Sequence, residues 1–131
     1  MRSHGRDVAI GAGLGLTAVL VALLMEGSQH TVFAGVLLGA VGAIYFGFAV
    51  ADGRASAIAA QAASAGCFGL VAYLGVRQGS DALIGVGFAA HACWDLLHHE
   101  GRGPTDVRTW YPPFCATVDL VIAVPLLAGW L

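Results

Sequence analysis

Lysine is absent from the 131 residues, and charged side chains of every kind make up only 11% of them. Soluble domains carry roughly 25% charged residues. A water-soluble fold of this composition would lack the polar groups to cover its surface. The arginines and acids leave a formal charge of −2; with no basic face, nucleic acid is not an expected partner. Cysteine is scarce too. Cys67, Cys93 and Cys115 each lie within an apolar run, which suggests no disulfide framework, and Cys67 and Cys93 read as small core residues. No A-x-A-like site follows Val8–Met25, and that stretch exceeds a signal-peptide core of about 7–15 residues. It reads as a retained helix.

What the chain has instead is apolar sequence, 58% of the whole. Five segments emerge, Val8–Met25, Thr31–Ala51, Ala55–Val76, Ala82–His98 and Pro112–Leu131. Each is near the roughly 20 residues needed to cross a bilayer as a helix. Backbone polar groups cannot go unpaired in lipid, so apolar runs of this length must be helices. The fold expected is all-α: one polytopic membrane bundle of five transmembrane helices, N-terminus cytoplasmic and C-terminus outside. With that orientation Arg2, Arg6, Arg54, Arg102 and Arg108 fall in cytoplasmic segments and only Arg77 outside, as the positive-inside rule requires. Four or six helices would spoil the alternation. The localisation implied is the plasma (inner) membrane, multi-pass.

Details agree with this. Trp110, Tyr111 and Trp130 sit where interfacial aromatic belts belong. Pro112 and Pro113 suit a helix start, and Gly53 and Gly101 suit helix ends. Pro125 is expected to kink the last helix and free a carbonyl. Gly11-x-x-x-Gly15 and Gly35-x-x-x-Gly39 permit close helix contact. The Gly11–Leu16 run hints at a nucleotide loop, but its third glycine is missing and no strand precedes it.

One segment stands apart, Gly87 to Glu100, with His91, Trp94, Asp95, His98 and His99. At 100° per residue, His91, Asp95 and His98 fall within about 60° of arc, and His99 widens it to about 100°. Helix four thus presents three imidazoles and a carboxylate on one stripe. Helix five adds Cys115 and Asp119, four apart on one face. His91 lies roughly 10 Å in from His98, and Asp119 is about as far in from Pro112, so the two should be nearly level. Tyr45 and Asp52 on helix two, and Gln61 and Ser64 on helix three, bring further polar groups toward the same leaflet.

An unpaired charge at the bilayer centre costs about 2.5–3.5 kcal/mol on insertion scales. Asp95 and Asp119 therefore need a bound divalent metal, a protonated histidine or a shared proton. The metal set expected is His91, Asp95, His98, His99 and Asp119, a suitable donor group for zinc or non-haem iron. Asp95 and Asp119 are the expected proton-handling, catalytic carboxylates. Tyr45, Asp52, Gln61 and Cys115 are accessory, Cys115 as a soft ligand. The H-E-x-x-H order of a zincin is absent. Against the metal stand two plainer readings, histidines that merely mark the interface and a hydrogen-bond network that pins helices four and five together. Glu26 and His30 read as loop residues.

The pattern His91, Trp94-Asp95-x-x-His98-His99, a proline-bearing loop, then Cys115-x-x-x-Asp119 resembles a family of small uncharacterised integral membrane proteins of bacteria and fungi. The resemblance covers about residues 85–125 and implies weight for these site residues, but no reaction.

Three classes of function follow. A metal-dependent membrane hydrolase or oxygenase acting on a lipid or other apolar small molecule comes first. A proton-coupled transporter or channel is the alternative, although five helices show no inverted repeat. An accessory subunit of a larger membrane complex, with or without haem, is the third. The partners expected are membrane lipid, an apolar substrate, and either a second copy of the chain or a larger complex.

Overall fold

Among the described residues, twenty-three large apolar side chains point outward, including Leu14, Leu20, Leu24, Val36, Leu70 and Leu127. In water such a surface would aggregate; facing lipid it needs no cover. The computed structural model describes residues 4–131, so Arg2, assigned above to the cytoplasmic side, lies outside the described residues. Five α-helices and one short 3-10 turn make up the fold: α1 His4–Leu23, α2 Gln29–Asp52, α3 Ala55–Gln78, α4 Asp81–His98, the turn His99–Gly101, and α5 Tyr111–Ala128. No strand occurs among the described residues. The boundaries fall within a few residues of the apolar runs. α1, α2, α3 and α5 are long and apolar enough to cross a membrane. α4 is the exception because it carries Asp81, His91, Asp95 and His98, of which the last three are buried inside the bundle.

The helices end on left-handed glycines, Gly53, Gly79 and Gly129, each donating its N–H back to the last turn. α4 ends differently. Gly101 was the expected stop, but the helix closes at His98 with His99 extended, and Glu100 (φ 60°) and Gly101 (φ 73°) then reverse the chain. α5 runs continuously through Pro125, which occupies its last turns.

α5 lies between α1 and α4, α3 packs on α2 and α4, and α4 also touches α2. α1 is held almost wholly by α5, and the reason is local. A Cβ at Gly11 would strike the Phe114 carbonyl, and one at Gly15 would come within 2.9 Å of Val121. The two glycines thus let the backbones approach as the small-x-x-x-small spacing implied. Gly39 of the second such motif meets nothing, whereas Gly35 packs on Val76. Leu38, Ile84, Phe88, Ile122 and Leu126 form the apolar centre. Arg6, Arg54, Arg102 and Arg108 lie at the end of the bundle where α1, α3 and α5 begin; Arg77 lies at the other end.

Two sequence readings change here. Cys67 and Cys93 are exposed on outward faces, not in the core; in a bilayer a small apolar thiol is as well placed facing lipid. His30 belongs to the first turn of α2 and not to a loop, and its Nε2 lies 3.1 Å from Oδ2 of Asp81 at the start of α4.

Candidate metal centre

α4 and α5 are antiparallel neighbours, and their level polar residues meet. His91 Nδ1 lies 2.7 Å from Asp119 Oδ2 and 3.6 Å from Asp95 Oδ2. Asp95 sits one turn beyond His91 on the same face, so both carboxylates address one ring nitrogen. α2 supplies the next group: the Tyr45 hydroxyl donates to Asp95 Oδ1 at 2.7 Å. Cys115 lies one turn before Asp119 and accepts from the Tyr111 hydroxyl at 3.4 Å. His91, Asp95 and Asp119 are all fully buried, and Cys115 nearly so. Phe68 stands edge-on to the His91 ring at 4.8 Å, completing an aromatic wall with Tyr45.

Three buried polar atoms in this knot have no hydrogen-bond partner, His91 Nε2, Asp95 Oδ2 and Asp119 Oδ1. Native interiors seldom leave such groups unpaired, and in hydrocarbon no lipid atom can replace a partner. One donor atom from each of His91, Asp95, Cys115 and Asp119 lies within 4.8 Å of all the others. A tetrahedral ion with bonds of about 2.0–2.3 Å needs donors about 3.3–3.7 Å apart. The His91–Asp95 separation already suits that; the His91–Asp119 pair would have to open by roughly half an ångström. Two carboxylates beside a neutral imidazole carry the charge that a divalent cation cancels. Nitrogen, oxygen and thiol donors together suit zinc or iron rather than magnesium or calcium.

A second network lies beside the first and is closed. His98 Nδ1–H donates to the Trp94 carbonyl at 2.9 Å, so its Nε2 accepts from the Gln61 amide at 2.7 Å. The same amide nitrogen donates to Thr105 Oγ1 at 3.1 Å, and Gln61 Oε1 accepts from Trp94 Nε1–H at 3.2 Å. Every donor of Gln61 and both nitrogens of His98 are thereby used. Gly103 rests its backbone on the His98 ring, where any side chain would collide. The Tyr45 ring, 4.4 Å from that of His98, is the partition between the two networks.

The expected ligand set therefore divides. His91, Asp95 and Asp119 come together, and Cys115, expected only as an accessory, joins them as an equal. His98 is drawn into the Gln61 network and His99 stands at the chain reversal, edge-on to His4 at 5.1 Å. Asp52 is also elsewhere: it binds Arg54 at 2.6 and 2.7 Å and accepts from the Asp106 amide at 3.1 Å, which pins the loop before α5. Tyr45 serves the site through Asp95. Thr105 and the His30–Asp81 pair were missed, because a loop threonine and two end-of-helix residues carry no spacing signal.

Among curated proteins and among solved structures, nothing matches this chain. One family model does match, over residues 6–130, a span that holds all four donors. It describes a family of unknown function (DUF6010), and the chain belongs to that family.

Proposed function

We propose that the protein is a metal-dependent membrane enzyme in which His91, Asp95, Cys115 and Asp119 hold a zinc or non-haem iron ion at inner-leaflet depth. Its substrate is a lipid or another apolar small molecule. The observation that carries this reading is the pair of buried, unpartnered carboxylate oxygens, Asp95 Oδ2 and Asp119 Oδ1, on the two aspartates that flank His91 Nδ1. A purely structural network would be closed, as the one around Gln61 is. Such an ion supplies a Lewis acid and a water of lowered pKa. The chain's own residues divide the remaining labour. Asp95, held at Oδ1 by Tyr45, keeps Oδ2 free to bind or to take a proton. In the metal-free protein the 2.7 Å bond to Asp119 orients the imidazole, and the aromatic wall of Tyr45 and Phe68 excludes bulk water. The arginines at one end of the bundle support a plasma-membrane protein with that end in the cytoplasm.

A second reading has its own observation. The 2.7 Å contact of His91 with Asp119 is already a sound hydrogen bond, and an imidazolium between two aspartates would serve a proton-coupled carrier. Elemental analysis of protein purified in mild detergent separates the two. Near-stoichiometric zinc or iron, absent from an Asp95→Ala/Asp119→Ala double variant of equal fold, is the expected result. Metal-free wild type that cannot be loaded would overturn the enzyme and leave the carrier.

A further inference from the structure

α1 and α2 are consecutive in sequence yet touch only briefly, because α1 leans on α5. The seam left between them is an apolar cavity of about 280 Å³. Its mouth is formed by Leu14, Ala18 and Val21 of α1 and by Phe33 and Leu37 of α2; Leu14 is 53% and Val21 39% exposed, so it opens sideways toward lipid. Even its one hydroxyl is neutralised, since Thr17 Oγ1 donates to the Gly13 carbonyl at 2.8 Å. A narrower cavity shares Ala18, Phe33, Leu37 and Ile122 and carries the seam on toward Leu131.

The floor of the seam is where this matters. Val41, Phe88 and Ile122 line it, and each lies within one helical turn of a residue of the metal centre: Val41 of Tyr45, Phe88 of His91, Ile122 of Asp119. One turn is about 5.4 Å of axial rise. A larger apolar depression between α1 and α5 ends on Thr117, Leu120 and Val124, about 100–160° around α5 from Asp119. Of the two, the α1–α2 seam is the one that also touches α2 and α4, the helices that carry Tyr45 and His91.

Building on the reading of the site as a metal-dependent enzyme, we propose that this seam seats a single hydrocarbon chain of the substrate. The substrate is then a one-chain amphiphile entering sideways between α1 and α2. Its tail lies from Ala22 to Leu14, about 12 Å along α1, and its head is directed past Phe88 toward His91 and Asp119. The apolar lining excludes a polar ligand, and a cavity of about 280 Å³ seats one chain rather than two.

The test uses the full-length protein in detergent and a long-chain fatty acid with a diazirine near its methyl end, photolysed and mapped by mass spectrometry. Labels should concentrate on Ala18, Phe33 and Leu37. They should fall about tenfold in Ala18→Trp, as expected when roughly two methylenes lose their seat. Val21→Phe at the exposed mouth gives the same reading should the tryptophan variant not fold. Asp119→Asn should leave the tail labels in place, because the seam does not depend on the ion. Labels spread evenly over Leu24, Leu70 and Leu127, or unchanged by both seam variants, would overturn the proposal even where metal is bound. Seam-specific labelling supports it even where metal is absent, so the two readings fail separately.

Discussion

Replacing Tyr45 by phenylalanine removes one oxygen and leaves the ring packed between His98, at 4.4 Å, and Tyr111, at 5.7 Å. The loss is confined to the 2.7 Å hydrogen bond to Asp95 Oδ1. A hydrogen bond to a charged group is worth about 1.5–3 kcal/mol. Asp95 already has its other oxygen unpartnered, so in Tyr45→Phe its charge would be held by a bound ion and His91 alone. At 1.4 kcal/mol for each factor of ten, zinc affinity should fall roughly 10–100-fold, the range found for outer-shell partners of metal ligands. Tyr111→Phe is the internal control. Its hydroxyl reaches only a sulfur, at 3.4 Å, a weak acceptor, and the drop should stay below about tenfold. Competition against a chromophoric zinc chelator, with protein in mild detergent, reads both. Wild-type affinity in Tyr45→Phe, or a larger loss in Tyr111→Phe, would refute the idea that Asp95 is a ligand oriented from α2.

Three further outcomes follow from the same structure. Gly11→Ala should destabilise by about 1–3 kcal/mol because the obstructing Phe114 carbonyl cannot move aside. Gly13→Ala, whose Cβ meets nothing, should be neutral or stabilising by up to about 1 kcal/mol; unfolding in SDS-titrated micelles reads both, and equal losses would dissociate α1 packing from the glycines. Gln61→Leu breaks three buried hydrogen bonds, costing about 2 kcal/mol at the membrane average of about 0.6 each. Metal content should be unchanged, and its loss would show that the two networks are one. Metal occupancy should decline as pH falls, because His91 and the two aspartates bind only when deprotonated. An occupancy flat across acid pH would exclude His91 as a ligand.

The helices were legible because lipid leaves a long apolar run little choice of conformation, and α1 to α5 follow the runs closely. The pairing of His91 with Asp119 was legible too, from two antiparallel helices and equal depths. His98 was not. Helical spacing fixes the direction in which a side chain points, and His98 shares the stripe of His91 while lying two turns further along. At that level the neighbour is Gln61 of α3, aided by Thr105 from a loop that has no periodicity to read. Cys115 was placed near the site by spacing, but its equal standing with the aspartates depends on how closely α4 and α5 approach. The Asp52–Arg54–Asp106 clamp and the His30–Asp81 pair join segments far apart in the chain, and only the folded bundle brings them together.

The attachment of α1 to α5 also sets an order of events during synthesis. Leu23 ends α1, and Tyr111 opens α5. At about 5–20 residues per second the ribosome needs roughly 5–20 s to make the intervening stretch. For that time the glycine face of α1 lies in the bilayer, or in the insertion machinery, without its mate. α2, α3 and α4 can pack on one another earlier, but the wall bearing Cys115 and Asp119 arrives only with the last helix. A nascent chain stalled before α5 would therefore expose a helix without its mate and leave His91 and Asp95 without Cys115 and Asp119.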